Sequence, residues 1–121
     1  MGQRILVAED EKVFASDLRD TVEEAGYEVE GPHTGTSSAL LACEGNRPDL
    51  AILDATLGGE DSYRLAHKLT EESVPIIFHT GSSGDAIIAE RFPGAMTVPK
   101  PCPPAKMLAA VSGALGHRGR A

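Results

Sequence analysis

A chain of 121 residues with 41% hydrophobic content is large enough for one packed core and too short for a second folded module. Its formal net charge is −7, and half of the acidic residues lie between Glu9 and Glu30, a balance that repels a phosphate backbone and weighs against direct nucleic-acid binding. Cys43 and Cys102 form no metal or disulfide spacing, and no stretch approaches a transmembrane span or a signal-peptide core, so a soluble cytoplasmic protein with no membrane partner is expected.

Ile5-Leu6-Val7-Ala8 reads as a first strand that exits into Glu9-Asp10-Glu11. Phe14, Leu18, Val22 and Ala25 then recur at helical spacing until Gly26. Tyr27 to Glu30 is a brief strand closed by Gly31-Pro32, and residues 34–38 offer caps for a helix reaching about Glu44. Leu50-Ala51-Ile52-Leu53 is too short for a buried helix, and Pro48 before it and Gly58-Gly59 after it mark a strand that delivers Asp54 to an edge. A helix from about Ser62 to Glu71 follows, with Tyr63, Leu65, Ala66 and Leu69 as its apolar face.

Ile76-Ile77-Phe78 is a further strand, leaving through His79-Thr80-Gly81. Gly84 and Pro93 confine the next helix to Asp85–Phe92. Ala95 to Val98 forms a weak strand that runs into Lys100-Pro101, and Pro103-Pro104 open a last helix that carries Met107, Leu108, Val111 and Leu115 as far as Gly116. Met96 and Met107 are expected to fill the core, His79 to pack, and residues 117–121 to form a flexible tail behind a domain of residues 1–116. Strands alternating with helices at this spacing argue for an open parallel sheet covered by helices on both faces.

In such a sheet, ligands bind outside the carboxyl ends of the strands. Glu9, Asp10, Asp54, Thr80 and Lys100 all arrive at that edge. Carboxylates brought together need a cation, and hard oxygen ligands favour Mg2+, which retains waters and takes phosphate oxygens readily. The set therefore suits phosphoryl transfer onto Asp54 as nucleophile, with Lys100 and Thr80 contacting the phosphoryl oxygens. Each residue also has a plainer use. Asp10 could cap a helix, Thr80-Gly81 could be a turn, and Lys100 a surface cation; requiring all of these on one edge makes coincidence a poor account.

In order and position, Glu9-Asp10, Asp54, Thr80 and Lys100-Pro101 resemble the receiver domain of two-component response regulators over almost the whole chain. The resemblance implies a flavodoxin-like α/β fold, with five parallel strands ordered 2-1-3-4-5. It further implies a cis Pro101 peptide, and Mg2+ held by Asp10, Asp54 and the main-chain carbonyl of Thr56, with Glu9 acting partly through water. A histidine kinase or histidine phosphotransfer protein would be the phosphodonor, and the chain would be a signalling protein whose chemistry is limited to its own phosphorylation and dephosphorylation. Receivers usually carry an aromatic switch three residues before the lysine, where this chain has Thr97. Phe78-His79-Thr80-Gly81 is similar to the Phe-Ala-Thr-Gly motif of a subgroup of stand-alone receivers, and Thr56 and Ser82 occupy positions that tune dephosphorylation in the family. A receiver-like module that binds its partner without phosphorylation is the main alternative. A flavin-binding relative is disfavoured by the acids at Glu9-Asp10-Glu11, and an aspartate-dependent phosphatase by Thr56 standing where a second acid is needed.

Overall fold

The computed structural model describes residues 2–81 and 85–119. In chain order the elements are β1 (Arg4–Ala8), α1 (Lys12–Glu24), β2 (Glu28–His33), α2 (Thr36–Gly45), β3 (Leu50–Leu53), β4 (Thr56–Leu57), β5 (Glu60–Asp61), α3 (Tyr63–Glu71), β6 (Ile76–Thr80), α4 (Asp85–Arg91), β7 (Met96–Pro99) and α5 (Pro104–Gly119). Ser82, Arg120 and Ala121 lie outside the described residues.

Five strands form one parallel sheet in the order β2-β1-β3-β6-β7. This is the expected 2-1-3-4-5 arrangement of a flavodoxin-like sheet, with the small β4–β5 hairpin standing apart. The inner strands β1, β3 and β6 are near-continuous apolar runs because helices cover both of their faces. Side-chain alternation divides them. Ile5, Val7, Leu50, Ile52 and Ile77 pack with Leu18 and Val22 of α1 and Met107 and Val111 of α5. Leu6, Leu53 and Phe78 pack with Ala39 and Cys43 of α2, Leu65 and Leu69 of α3, and Ile88 of α4.

The outer strands depart from the sequence reading. β2 does not stop at Glu30 but runs through Gly31 and Pro32 to His33, with a register shift against β1 between Leu6 and Ala8. Gly31 makes this continuation sterically allowed: at φ +116° a Cβ would stand 2.5 Å from the Val7 carbonyl oxygen and 2.8 Å from the His33 nitrogen. β7 is the other edge, and there Met96 is 42% exposed instead of filling the core, whereas Met107 is buried as expected. α5 continues past Gly116 to Gly119, so the segment expected as a tail begins inside the helix; glycine weakens a helix interior by only about 1 kcal/mol.

The far edge of the sheet is tied to α2 by a polar chain. Glu30 meets Arg4 through one carboxylate oxygen, and its other oxygen lies 2.8 Å from Nε2 of His33, whose Nδ1 is 3.0 Å from the Ser38 hydroxyl. The His33 contact and the Arg4 charge outweigh partial burial and hold the Glu30 carboxyl below its ordinary value. A depressed carboxyl contributes stability that is complete above the unfolded-state pKa, about 4.3, and is lost as pH falls through the lower folded value. Urea midpoints measured from pH 6 down to pH 3 are expected to fall less steeply in Glu30→Gln than in wild type; parallel curves would remove this pair from the account of acid sensitivity.

Candidate functional site

At the carboxyl edge of the sheet, ladder hydrogen bonds run one residue past three strand ends. The Glu9 N–H donates to the His33 carbonyl (2.9 Å), the Asp54 N–H to that of Ala8 (2.9 Å), and the Lys100 N–H to that of Thr80 (2.9 Å). Backbone geometry thus fixes the acid after β1, the acid after β3 and the base after β7 before any side chain acts. Thr80 ends β6 and is 4% exposed. The Lys100–Pro101 peptide is cis, as the resemblance implies.

The side chains converge on the ammonium of Lys100. Its Nζ lies 2.8 Å from Asp54 Oδ2, 3.1 Å from Glu9 Oε1 and 3.3 Å from Glu11 Oε1. It also stands 4.8 Å from the centre of the Phe14 ring. The other carboxylate oxygen of Asp54 accepts the Thr56 N–H (3.2 Å), which sets the Thr56 peptide against the acid. Glu9 is fully buried, and its Oε1 is 3.7 Å from Nδ1 of the buried His79.

Burial pushes the Asp54 carboxyl above its ordinary range, with the nearby Glu9 charge adding to the rise and the Lys100 and Thr56 contacts opposing it. Burial also works against an ionised Glu9, but His79, the Glu11 N–H and Lys100 outweigh it and hold that carboxyl low. For Lys100 burial disfavours the ammonium, and the carboxylates of Asp54 and Glu9 overcome it, so the lysine is held protonated.

Carboxylate oxygens of Glu9, Glu11 and Asp54 all lie within 4.8 Å of one another, a hard oxygen donor set of the kind that fits a divalent cation such as Mg2+. Asp10 is placed differently from these three, its Oδ2 accepting the Gly58 N–H (2.9 Å) at the turn of the β4–β5 hairpin. That hairpin was not anticipated, although Gly58-Gly59, at φ +59° and +85°, is the two-residue turn such a connection requires.

Three participants escaped the sequence reading. Glu11 occupies the N-cap position of α1 without a side-chain capping bond, and reaches Lys100 instead. Ser62, at the N-cap of α3, likewise makes no cap: its hydroxyl donates to the Asp54 carbonyl (2.7 Å) and its N–H to that of Ala55 (2.9 Å), fixing the loop behind the acid. A serine just ahead of a helix is a readable cap signal, but its diversion to Asp54 depends on how α3 docks. Phe14, read as one more apolar position of α1, lies instead over the ammonium.

The chain is 35% identical over 118 residues to the phyllosphere-induced regulator PhyR of Methylorubrum extorquens, covering 95% of this chain and 44% of that protein. It is 32% identical over 96 residues to the transcriptional regulatory protein PdtaR of Mycobacterium tuberculosis, covering 78% of this chain and 47% of that one. The chain thus spans about half the length of these curated relatives. Among solved structures, the signal receiver domain of a modulated diguanylate cyclase from Desulfovibrio desulfuricans superposes with a TM-score of 0.87 at 27% identity over 98% of each chain. Residues 5–112 match the pattern of the response regulator receiver domain, and with this fold and these relatives the chain belongs to that family of signal-transduction domains.

Proposed function

We propose that Asp54 accepts a phosphoryl group, in a Mg2+-dependent reaction, from a cytoplasmic histidine kinase or histidine phosphotransfer protein. The phosphorylated domain then signals through altered affinity for a protein partner, or passes its phosphate along a relay. The observation that carries this reading is the ammonium of Lys100, 2.8 Å from Asp54 at the carboxyl edge of the sheet. A lysine so placed orients the acid before transfer and meets the phosphoryl oxygens after it.

Asp54 and the Thr56 carbonyl would hold the cation together with Asp10, whose carboxylate must first release the Gly58 N–H, and Glu9 would act partly through water. Bound there, Mg2+ supplies positive charge that offsets repulsion between the Asp54 carboxylate and the incoming phosphoryl oxygens. An oxygen of Asp54 attacks phosphorus in line, the bond from phosphorus to the donor breaks, and the donor imidazole leaves with the electron pair. No general base is required, because the nucleophile carries no proton when ionised. Thr80 contacts the transferred group from the adjoining strand end.

Intact mass after incubation with Mg2+ and acetyl phosphate or phosphoramidate tests this directly. One added phosphoryl group is expected on wild type, and none on Asp54→Asn or in EDTA. If neither small donor nor a purified histidine kinase modifies the wild type, the domain is a phosphorylation-independent binding module.

A further inference from the structure

The family's usual aromatic position is occupied by Thr97, on the exposed edge strand β7, and on the α2–α4 face of the sheet the rings of Tyr63 and Phe78 each contact that of Phe92. Phe14 is on the opposite face. Its ring receives the Lys100 ammonium at 4.8 Å and stands edge-on to the His79 ring at 5.7 Å and an interplanar angle of 83°. Lys100 follows β7 and His79 immediately precedes Thr80, so one ring touches residues from both strand ends that flank the phosphoryl position. Phe14 also forms part of the wall of a cavity of about 280 Å³ between α1 and the start of α5, shared with Leu18, Thr21, His79 and Met107.

We propose that Phe14 follows the position of Lys100, which the carboxylates of Asp54, Glu9 and Glu11 set, and that through this ring the phosphorylation state of Asp54 reaches the α1–α5 cleft. The inference rests on the phosphoacceptor reading and specifies its outlet. A phosphoryl group on Asp54 inserts bulk and charge between that carboxyl and Lys100, so Nζ must leave its 2.8 Å contact to meet the new oxygens. Attraction of an ammonium to a ring face is confined to within roughly 6 Å of the centroid, so a small displacement of Nζ changes the hold on Phe14. Leu18 lies one helical turn further along α1 and is packed in the core with Met107 of α5, so a shift of the ring is felt in the cleft wall.

The test is a set of amide 1H-15N spectra with and without Mg2+ and beryllofluoride, a phosphoryl mimic, for wild type, Phe14→Leu and Phe14→Tyr. In wild type, shifts are expected around Asp54 and Thr80 and in the cleft at Leu18, Thr21 and Met107, exceeding those at Ile87 and Met96 on the α4–β7 side. Phe14→Leu, which keeps apolar bulk but no ring face, should lose the cleft shifts while those at Asp54 and Thr80 persist; Phe14→Tyr, which keeps the ring, should restore them. Cleft shifts unchanged in Phe14→Leu, or wild-type changes concentrated at Ile87 and Met96, would overturn the inference and leave the phosphoacceptor intact. Absence of any shift at Asp54 and Thr80 in wild type would instead remove the phosphoacceptor reading itself. Spectral dispersion in each variant reports folding independently.

Discussion

Lys100→Met is expected to destabilise the metal-free protein by on the order of 3 kcal/mol near neutral pH and to suppress phosphorylation of Asp54. The lysine is the ammonium shared by a fully buried Glu9 and a 7% exposed Asp54. Removing it strands two carboxylates in a medium that solvates them poorly, and breaking such a group costs more than the intact arrangement contributes. Glu11, 61% exposed at its side chain, can turn to solvent and adds little to the penalty. Urea unfolding in EDTA measures the deficit. Adding Mg2+ should narrow it, since the site that has lost its ammonium binds the cation more tightly than the wild-type site and gains more by mass action. Equal midpoints for variant and wild type in EDTA would mean that the acids are satisfied without the lysine.

Phe78→Ala carries the second large effect, a loss of about 3–5 kcal/mol. Phe78 is fully buried in β6, between β3 and β7, with the Phe92 ring 5.6 Å away. Truncation leaves a cavity that the flanking strands cannot collapse to fill, because their ladders hold them on both sides. Against a total stability of roughly 5–15 kcal/mol for a domain, the variant is expected to melt far below wild type. Met96→Ala, on the exposed edge, should stay within about 0.5 kcal/mol of wild type and serves as the control. A Phe78→Ala protein with a near-native melting temperature would show that the core repacks around the gap.

The inner strands were legible because β1, β3 and β6 are short, unbroken apolar runs, the mark of strands covered on both faces. For the same reason Asp54 could be placed at an edge, since it ends such a run; Lys100 follows the weak strand β7 and was placed beside it by the strand–helix alternation, because only one edge of a parallel sheet receives strand exits. The outer strands were harder. Gly31-Pro32 reads as a stop, yet β2 continues because its neighbour β1 needs a close backbone approach there. Met96 looks like core by type and is exposed because β7 has a neighbour on one side only. Glu11, Ser62 and Phe14 were missed for another reason. Their local patterns say helix start or helix face, and their partners lie on other strands and loops, so spacing along the chain holds no trace of the contact.

Each border of the sheet carries a proline, Pro32 within β2 and Pro99 at the end of β7. A residue without an N–H interrupts the row of donors that an incoming chain would need, and β2 is further bent where its register slips against β1. Lateral growth of the sheet by a peptide strand, or by a second copy of the domain, is therefore discouraged on both flanks. What remains open to contact is the helices and the loops at the strand exits, where recognition is by side chains and not by backbone pairing.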